Sequence, residues 1–248
     1  MSTTSASISS GSSLRIVGVE FGRESVPRSF ATLLPPELRE SYLRIDPLDN
    51  PGIRKAFCTI EEQADHWAAE LGRNPNTPTV VLGYCSGSGF ASELAARIGS
   101  DPVLVLVDPG VPAAEEAQEL LAELAETMDE DLAPKDVPDI PQAGPGEAMA
   151  VIADFLDTTM QRCAPDLDEE IAEALIGHQR GWMSYTLAAG AHGGTLPTQP
   201  AYVLLSDEGE WDDAGPGEVH RFTVGPVALF SLAEAAEAVA GALAAAQR

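Results

Sequence analysis

The stretch Val80-Val81-Leu82-Gly83-Tyr84-Cys85-Ser86-Gly87-Ser88-Gly89 decides how this chain folds. An apolar run of β character breaks into glycines around one cysteine, and the residues from Ser88 to Ile98 are alanine-rich and suit a helix. Gly83 and Gly87 stand two residues to either side of Cys85. That is the spacing of a nucleophile elbow, a sharp strand-to-helix turn on which bulkier neighbours would collide. Ser86 and Ser88 have no such pair of flanking glycines. A cysteine at the head of a helix meets the partial positive charge of the helix N-terminus, which favours the thiolate. The thiol is therefore partly activated before any base acts on it.

On either side of the elbow, strands and helices alternate. Leu14 to Phe21 and Tyr42 to Ile45 read as strands, separated by a loop containing Gly22, Pro27 and the stretch Leu33 to Pro36. Thr59 caps a helix over Ile60 to Leu71, a turn spans Asn74 to Pro78, and Thr79 to Leu82 is the strand that enters the elbow. Val103 to Val107 is an apolar strand ending at Asp108-Pro109-Gly110. From about Ala113 to Gly190 no strand is expected. Helices over Ala113 to Thr127, Glu147 to Cys163 and Leu167 to Tyr185, with an acidic, proline-rich stretch between the first two, read as a lid inserted between strands. Tyr202 to Leu205 and Val219 to Val224 complete the strands, and a helix over Ser231 to Ala245 closes the chain. This order predicts an α/β fold, a mostly parallel sheet with helices on both faces and its functional loops at the carboxyl ends of the strands.

Composition narrows the function. The 248 residues suit one domain, here 14–248, preceded by a Ser/Thr-rich stretch, 1–13, that reads as a disordered tail. Fourteen Lys and Arg against 39 Asp and Glu give a net charge of -25, which argues against nucleic acid or an anionic membrane as partners. No apolar run approaches the roughly 20 residues of a membrane helix. Cys58, Cys85 and Cys163 are odd in number and show no CxxC spacing, so neither a metal nor a disulfide framework is expected. A reducing cytoplasm is the expected compartment.

The elbow Gly-Tyr-Cys85-Ser-Gly, the strand ending at Asp108, the helical insertion and the strand-helix C-terminus together resemble the α/β-hydrolase thioesterases of polyketide and nonribosomal peptide assembly lines. The resemblance covers nearly the whole chain from Leu14 onward. It implies that Cys85 is the nucleophile and Asp108 the orienting acid. It also implies an acyl or peptidyl carrier protein as partner, a substrate presented on a phosphopantetheine arm, a small-molecule acyl acceptor, and no bound cofactor or metal. Asp207, Glu208 and Glu210 are the competing acids, because many α/β-hydrolases place the acid after the following strand. The oxyanion hole is expected to use the Ser86 N–H and a second donor at Gly22 or Arg23 in the loop after the first strand.

One element of the family pattern is missing. Aligned on Phe230-Ser231-Leu232, the triad histidine falls on Leu229, and no histidine follows His220. His178, in the lid helix beside Trp182 and Tyr185, is the spare base to be expected. His220 should begin the last strand, about 15 Å below the active edge at ~3.3 Å per residue. His192, before the strand at Tyr202, should lie at the opposite edge too, and His66 should serve packing or surface. A thioester on cysteine exchanges with another thiol at nearly balanced energy. With the triad incomplete, the expectation moves from hydrolysis toward transfer or cyclisation of an acyl or aminoacyl group. The alternative is a degenerate relative that binds an acyl chain or a carrier protein.

Overall fold

A computed structural model of the chain describes residues 14–22, 29–72, 74, 76–99, 101–113, 115–129, 132, 134–140, 144–212 and 215–248. The tail 1–13 and Arg23 lie outside the described residues. Six described strands form one sheet: β1 (Arg15–Val19), β2 (Tyr42–Ile45), β3 (Thr79–Tyr84), β4 (Val103–Val107), β5 (Tyr202–Leu205) and β6 (Glu218–Arg221). They run in the order β2-β1-β3-β4-β5-β6, and every neighbouring pair is parallel. Parallel neighbours cannot be joined by a hairpin, so each connection must cross back over a face of the sheet. The helices are α1 (Pro51–Lys55), α2 (Ile60–Leu71), α3 (Gly87–Ile98), α4 (Glu116–Met128), α5 (Pro145–Cys163), α6 (Glu169–His192), α7 (Pro226–Leu229) and α8 (Ala233–Ala246).

Alternation along the strands divides the core. Val17, Val19, Val81, Leu104 and Leu106 face one side, against Ile60 and Ala64 of α2, Phe90 and Leu94 of α3, and Tyr185 and Ala188 of α6. Ile16, Val80, Leu82, Val105 and Val107 face the other, against Phe30, Leu33 and the α8 residues Ala235, Val239 and Leu243. Helices cover both faces, which is why the central strands read as unbroken apolar runs. The N-terminus of α2 is a capping box: the Glu62 N–H donates to Thr59 Oγ1 at 3.2 Å and the Thr59 N–H to Glu62 Oε2 at 2.9 Å.

Between β4 and β5 no strand occurs among the described residues. Helices α4, α5 and α6 pack around their own apolar cluster of Leu121, Met149, Ile152, Leu156, Ile176 and Met183. Helix α6 runs past the expected end at Tyr185 to His192, where Gly193 at φ 64 takes the left-handed conformation that stops it. Strand β6 is shorter than expected and ends at Arg221. No described helix is long and apolar enough to cross a membrane.

Candidate active site

Cys85 leaves β3 with φ 49, a left-handed conformation that side chains rarely adopt. Backbone hydrogen bonds hold it there. The Cys85 N–H donates to the Val107 carbonyl at 3.1 Å, and the Cys85 carbonyl accepts from Ser88 N–H at 3.1 Å and Gly110 N–H at 3.2 Å. The glycines give the turn its room. A Cβ on Gly83 would lie 2.7 Å from the Ala91 Cβ, and one on Gly87 would lie 3.2 Å from both Val19 and Phe21. The thiol at the head of α3 is exposed.

Asp108 is brought beside the elbow by register. Tyr84 pairs with Val107, so the next residue on each strand, Cys85 and Asp108, leaves the same edge one strand spacing apart, about 4.8 Å. Asp108 also has a positive φ, 41, and its N–H donates to the Leu204 carbonyl at 2.9 Å. Its Oδ1 accepts from the Ser206 N–H at 2.7 Å, and Gly209 packs so closely that a Cβ would fall 2.3 Å from that oxygen. Oδ2 is buried without a hydrogen-bond partner among the described residues. The carboxylate thus ties the ends of β4 and β5 together, and it forms no part of the wall of the cavity at Cys85. Asp207, Glu208 and Glu210 are exposed and also absent from that wall.

The cavity has a volume of about 360 Å³. Tyr84, Cys85 and Ser86 form one side, Val19, Glu20 and Phe21 another, and Gly110 to Pro112, Glu116 and Trp182 complete it. Phe21 meets Trp182 and Tyr185 edge-on, with centroids at 4.9 and 4.7 Å, and Trp182 stacks on Tyr185 at 6.1 Å. The Tyr185 hydroxyl donates to the Ser86 carbonyl at 3.0 Å. Burial, reinforced by the nearby Cys85, pushes the Tyr185 phenol far above its usual range, so it stays neutral. Sequence reasoning noticed Tyr185 and Trp182 only as neighbours of His178 and missed Glu116. The one signal for Glu116 was its place at the start of the helix after β4.

The first strand's loop differs from expectation. The Gly22 N–H, expected in the oxyanion hole, donates instead to Asp46 Oδ2 at 2.9 Å, and Gly22 does not line the cavity. Arg44 binds the Gly22 carbonyl and also pairs with Glu20 Oε2 at 3.1 Å. Glu20 Oε1 accepts from the Phe30 N–H and the Tyr42 hydroxyl, both at 2.6 Å. This buried network commits the loop to packing. Burial raises the Asp46 carboxyl above its ordinary value, and burial with the adjacent Glu20 raises the Tyr42 phenol.

None of the four histidines lines the cavity. His178 is exposed, one helical turn before Trp182 and so about 6 Å back toward the start of α6, and does not line the cavity at Cys85. His220 is not below the edge. Its register partner Leu204 pairs with Val107, which places it in the same row as Tyr84 but three strands away, about 14 Å. There it stacks on Tyr202 and contacts Glu218 at 3.2 Å. His66 lies edge-on to Trp67. His192 is the surprise. As the last residue of α6 it folds back against the elbow helix, with Nδ1 3.1 Å from where a Gly89 Cβ would be and Nε2 3.1 Å from Glu93 Oε1.

Glu61, Glu93 and His192 bring potential ligand atoms within 4.8 Å of one another. Glu93 already pairs through Oε1 with His192 and through Oε2 with Arg97, which also binds Asp65 at 2.5 Å. The group belongs to a chain of polar contacts joining α2, α3 and α6 through Glu93 and Arg97.

No family model matches the chain, and no curated protein matches it in sequence. Solved structures match it in fold. An alpha/beta hydrolase family protein from Desulfitobacterium hafniense superposes with a TM-score of 0.51 at 15% identity, over 93% of this chain and 95% of that one. The acetyl esterase MekB superposes at 0.50 with 12% identity, over 98% and 88%. A thioesterase from the prodiginine pathway of Streptomyces coelicolor superposes at 0.46 with 15% identity, over 95% and 91%. The chain has the α/β-hydrolase fold.

Proposed function

We propose that this is a thioesterase-like enzyme of natural-product biosynthesis that takes an acyl or aminoacyl group from a carrier-protein thioester onto Cys85 and transfers, cyclises or releases it. The observation that carries this reading is Cys85 itself, exposed at a glycine-flanked, positive-φ elbow beside a 360 Å³ cavity. The Cys85 thiolate attacks the thioester carbonyl, and the Ser86 N–H stabilises the developing oxyanion. The carbon–sulfur bond to pantetheine then breaks and the pantetheine thiolate leaves. One thioester replaces another, so little energy is lost.

Asp108 occupies the acid position of the resemblance. With no described histidine on the cavity wall, its part is to lock β4 and β5 behind the elbow. The described cavity wall offers no imidazole, so the triad route to hydrolysis is missing and the reading leans on transfer. The reading takes an acyl or peptidyl carrier protein and a small-molecule acceptor as partners, with a cytoplasmic setting, no bound cofactor, and neither nucleic acid nor membrane.

Mass spectrometry after incubation with acyl-pantetheine thioesters tests it. An adduct of acyl mass is expected on the wild type and absent from Cys85→Ala. No adduct with any thioester would overturn the enzyme reading and leave a degenerate relative that binds an acyl chain or a carrier protein.

A further inference from the structure

We infer that Glu116 is the general base of the second half-reaction, accepting the proton of the amine or hydroxyl that attacks acyl-Cys85. The inference rests on the proposed acylation of Cys85 and adds the group that completes transfer without a histidine. Besides Cys85 and the Tyr84 phenol, the ionisable side chains on the cavity wall among the described residues are Glu20 and Glu116. Glu20 is consumed by its neighbours: the Phe30 N–H, the Tyr42 hydroxyl and Arg44 hold its two oxygens, and it is buried. Asp108 is turned toward β5 and is absent from the wall.

Glu116 has the opposite character. It is exposed, and Oε1 accepts the Ala113 N–H at 2.9 Å, which fixes the side chain across the start of α4. Oε2 has no partner among the described residues. The segment leading into α4 begins at Gly110, whose N–H binds the Cys85 carbonyl and at which a Cβ would lie 3.7 Å from the sulfur. The carboxylate thus stands on the wall of the same cavity as Cys85.

The step balances without any further reagent. The acceptor nitrogen or oxygen forms a bond to the acyl carbonyl carbon, Glu116 takes its proton, the carbon–Sγ bond breaks, and Cys85 leaves as the thiolate that began the cycle. A thiolate acceptor carries no proton to remove, so it bypasses Glu116.

That difference is the test. Cys85 is acylated in wild type, Glu116→Gln and Glu116→Ala, and decay of the acyl-enzyme is followed in single turnovers. The acceptors are glycine ethyl ester and, at mildly alkaline pH, thiophenolate. Acylation is expected to be retained in all three proteins, so that the second half-reaction can be read in each. Transfer to the amine should slow about 10²-fold in both variants, the scale of general-base catalysis, while transfer to thiophenolate is unchanged. Added formate should restore amine transfer in Glu116→Ala. Equal slowing with both acceptors, no slowing with the amine, or loss of acylation in the Glu116 variants alone would overturn the assignment. Failure of the wild type to form the adduct would instead remove the acylation on which the assignment rests, and is seen at the first step.

Discussion

The Tyr185 hydroxyl donates to the Ser86 carbonyl at 3.0 Å, joining the helical insertion to the first peptide beyond the nucleophile. Tyr185→Phe keeps the ring packing against Phe21 and Trp182 but leaves that carbonyl unpaired. The expected cost is about 1 kcal/mol in urea unfolding, the usual size for one such hydrogen bond. Acylation of Cys85 should slow in parallel, because the bond that steadies the elbow is gone.

Alkaline stability should depend on the same residue. Burial raises the folded-state phenols of Tyr42 and Tyr185 above the ordinary value of 10.0, so the unfolded chain loses these protons first. Their contribution is complete below pH 10 and is lost as pH climbs beyond it. Each phenol contributes a slope of up to about 1.4 kcal/mol per pH unit in that range. Urea midpoints measured across the alkaline limb should fall less steeply in Tyr185→Phe than in the wild type.

Cys85→Gly separates strain from chemistry. At φ 49 a glycine avoids a penalty of roughly 1–2 kcal/mol that an L residue incurs. The exposed thiol gives up little packing in return. The variant should therefore unfold at higher urea concentration than the wild type while forming no acyl adduct. A variant less stable than wild type would show that the elbow is not strained.

Gly83→Ala should do the reverse. The new methyl would sit 2.7 Å from the Ala91 Cβ and 3.2 Å from the Ser88 backbone, so α3 must shift away from β3. Overpacking of this kind costs about 1–3 kcal/mol. Unfolding measurements should show that loss, and thiol-reagent kinetics should show an altered Cys85.

His178→Ala should leave both the Cys85 thiol titration and acyl transfer unchanged, because the imidazole is exposed and off the cavity wall. A changed thiol titration would return His178 to the site.

Much of the frame was legible because it depends on local signals. The elbow glycines, the capping box at Thr59 and the apolar runs of β3 and β4 each act within a few residues, and register then placed Asp108 beside Cys85. What was not legible depends on contacts distant in sequence. The Gly22 N–H is claimed by Asp46 on another loop, and Glu20 is surrounded by Phe30, Tyr42 and Arg44. His192 was misplaced for a different reason: Ala188 to Ala191 continue α6, and the Gly193-Gly194 pair, read as loop, is the signal for its left-handed end.

The insertion's separate apolar cluster has an evolutionary corollary. Leu121, Ile152 and Met183 pack among themselves and not on the sheet, so residues around them are free to drift without disturbing the strand that carries Cys85. Selection for a new substrate would reshape α4 and α5 first, and would meet resistance along the C-terminal half of α6, where the Tyr185 hydroxyl and His192 fasten the module to the elbow and its helix.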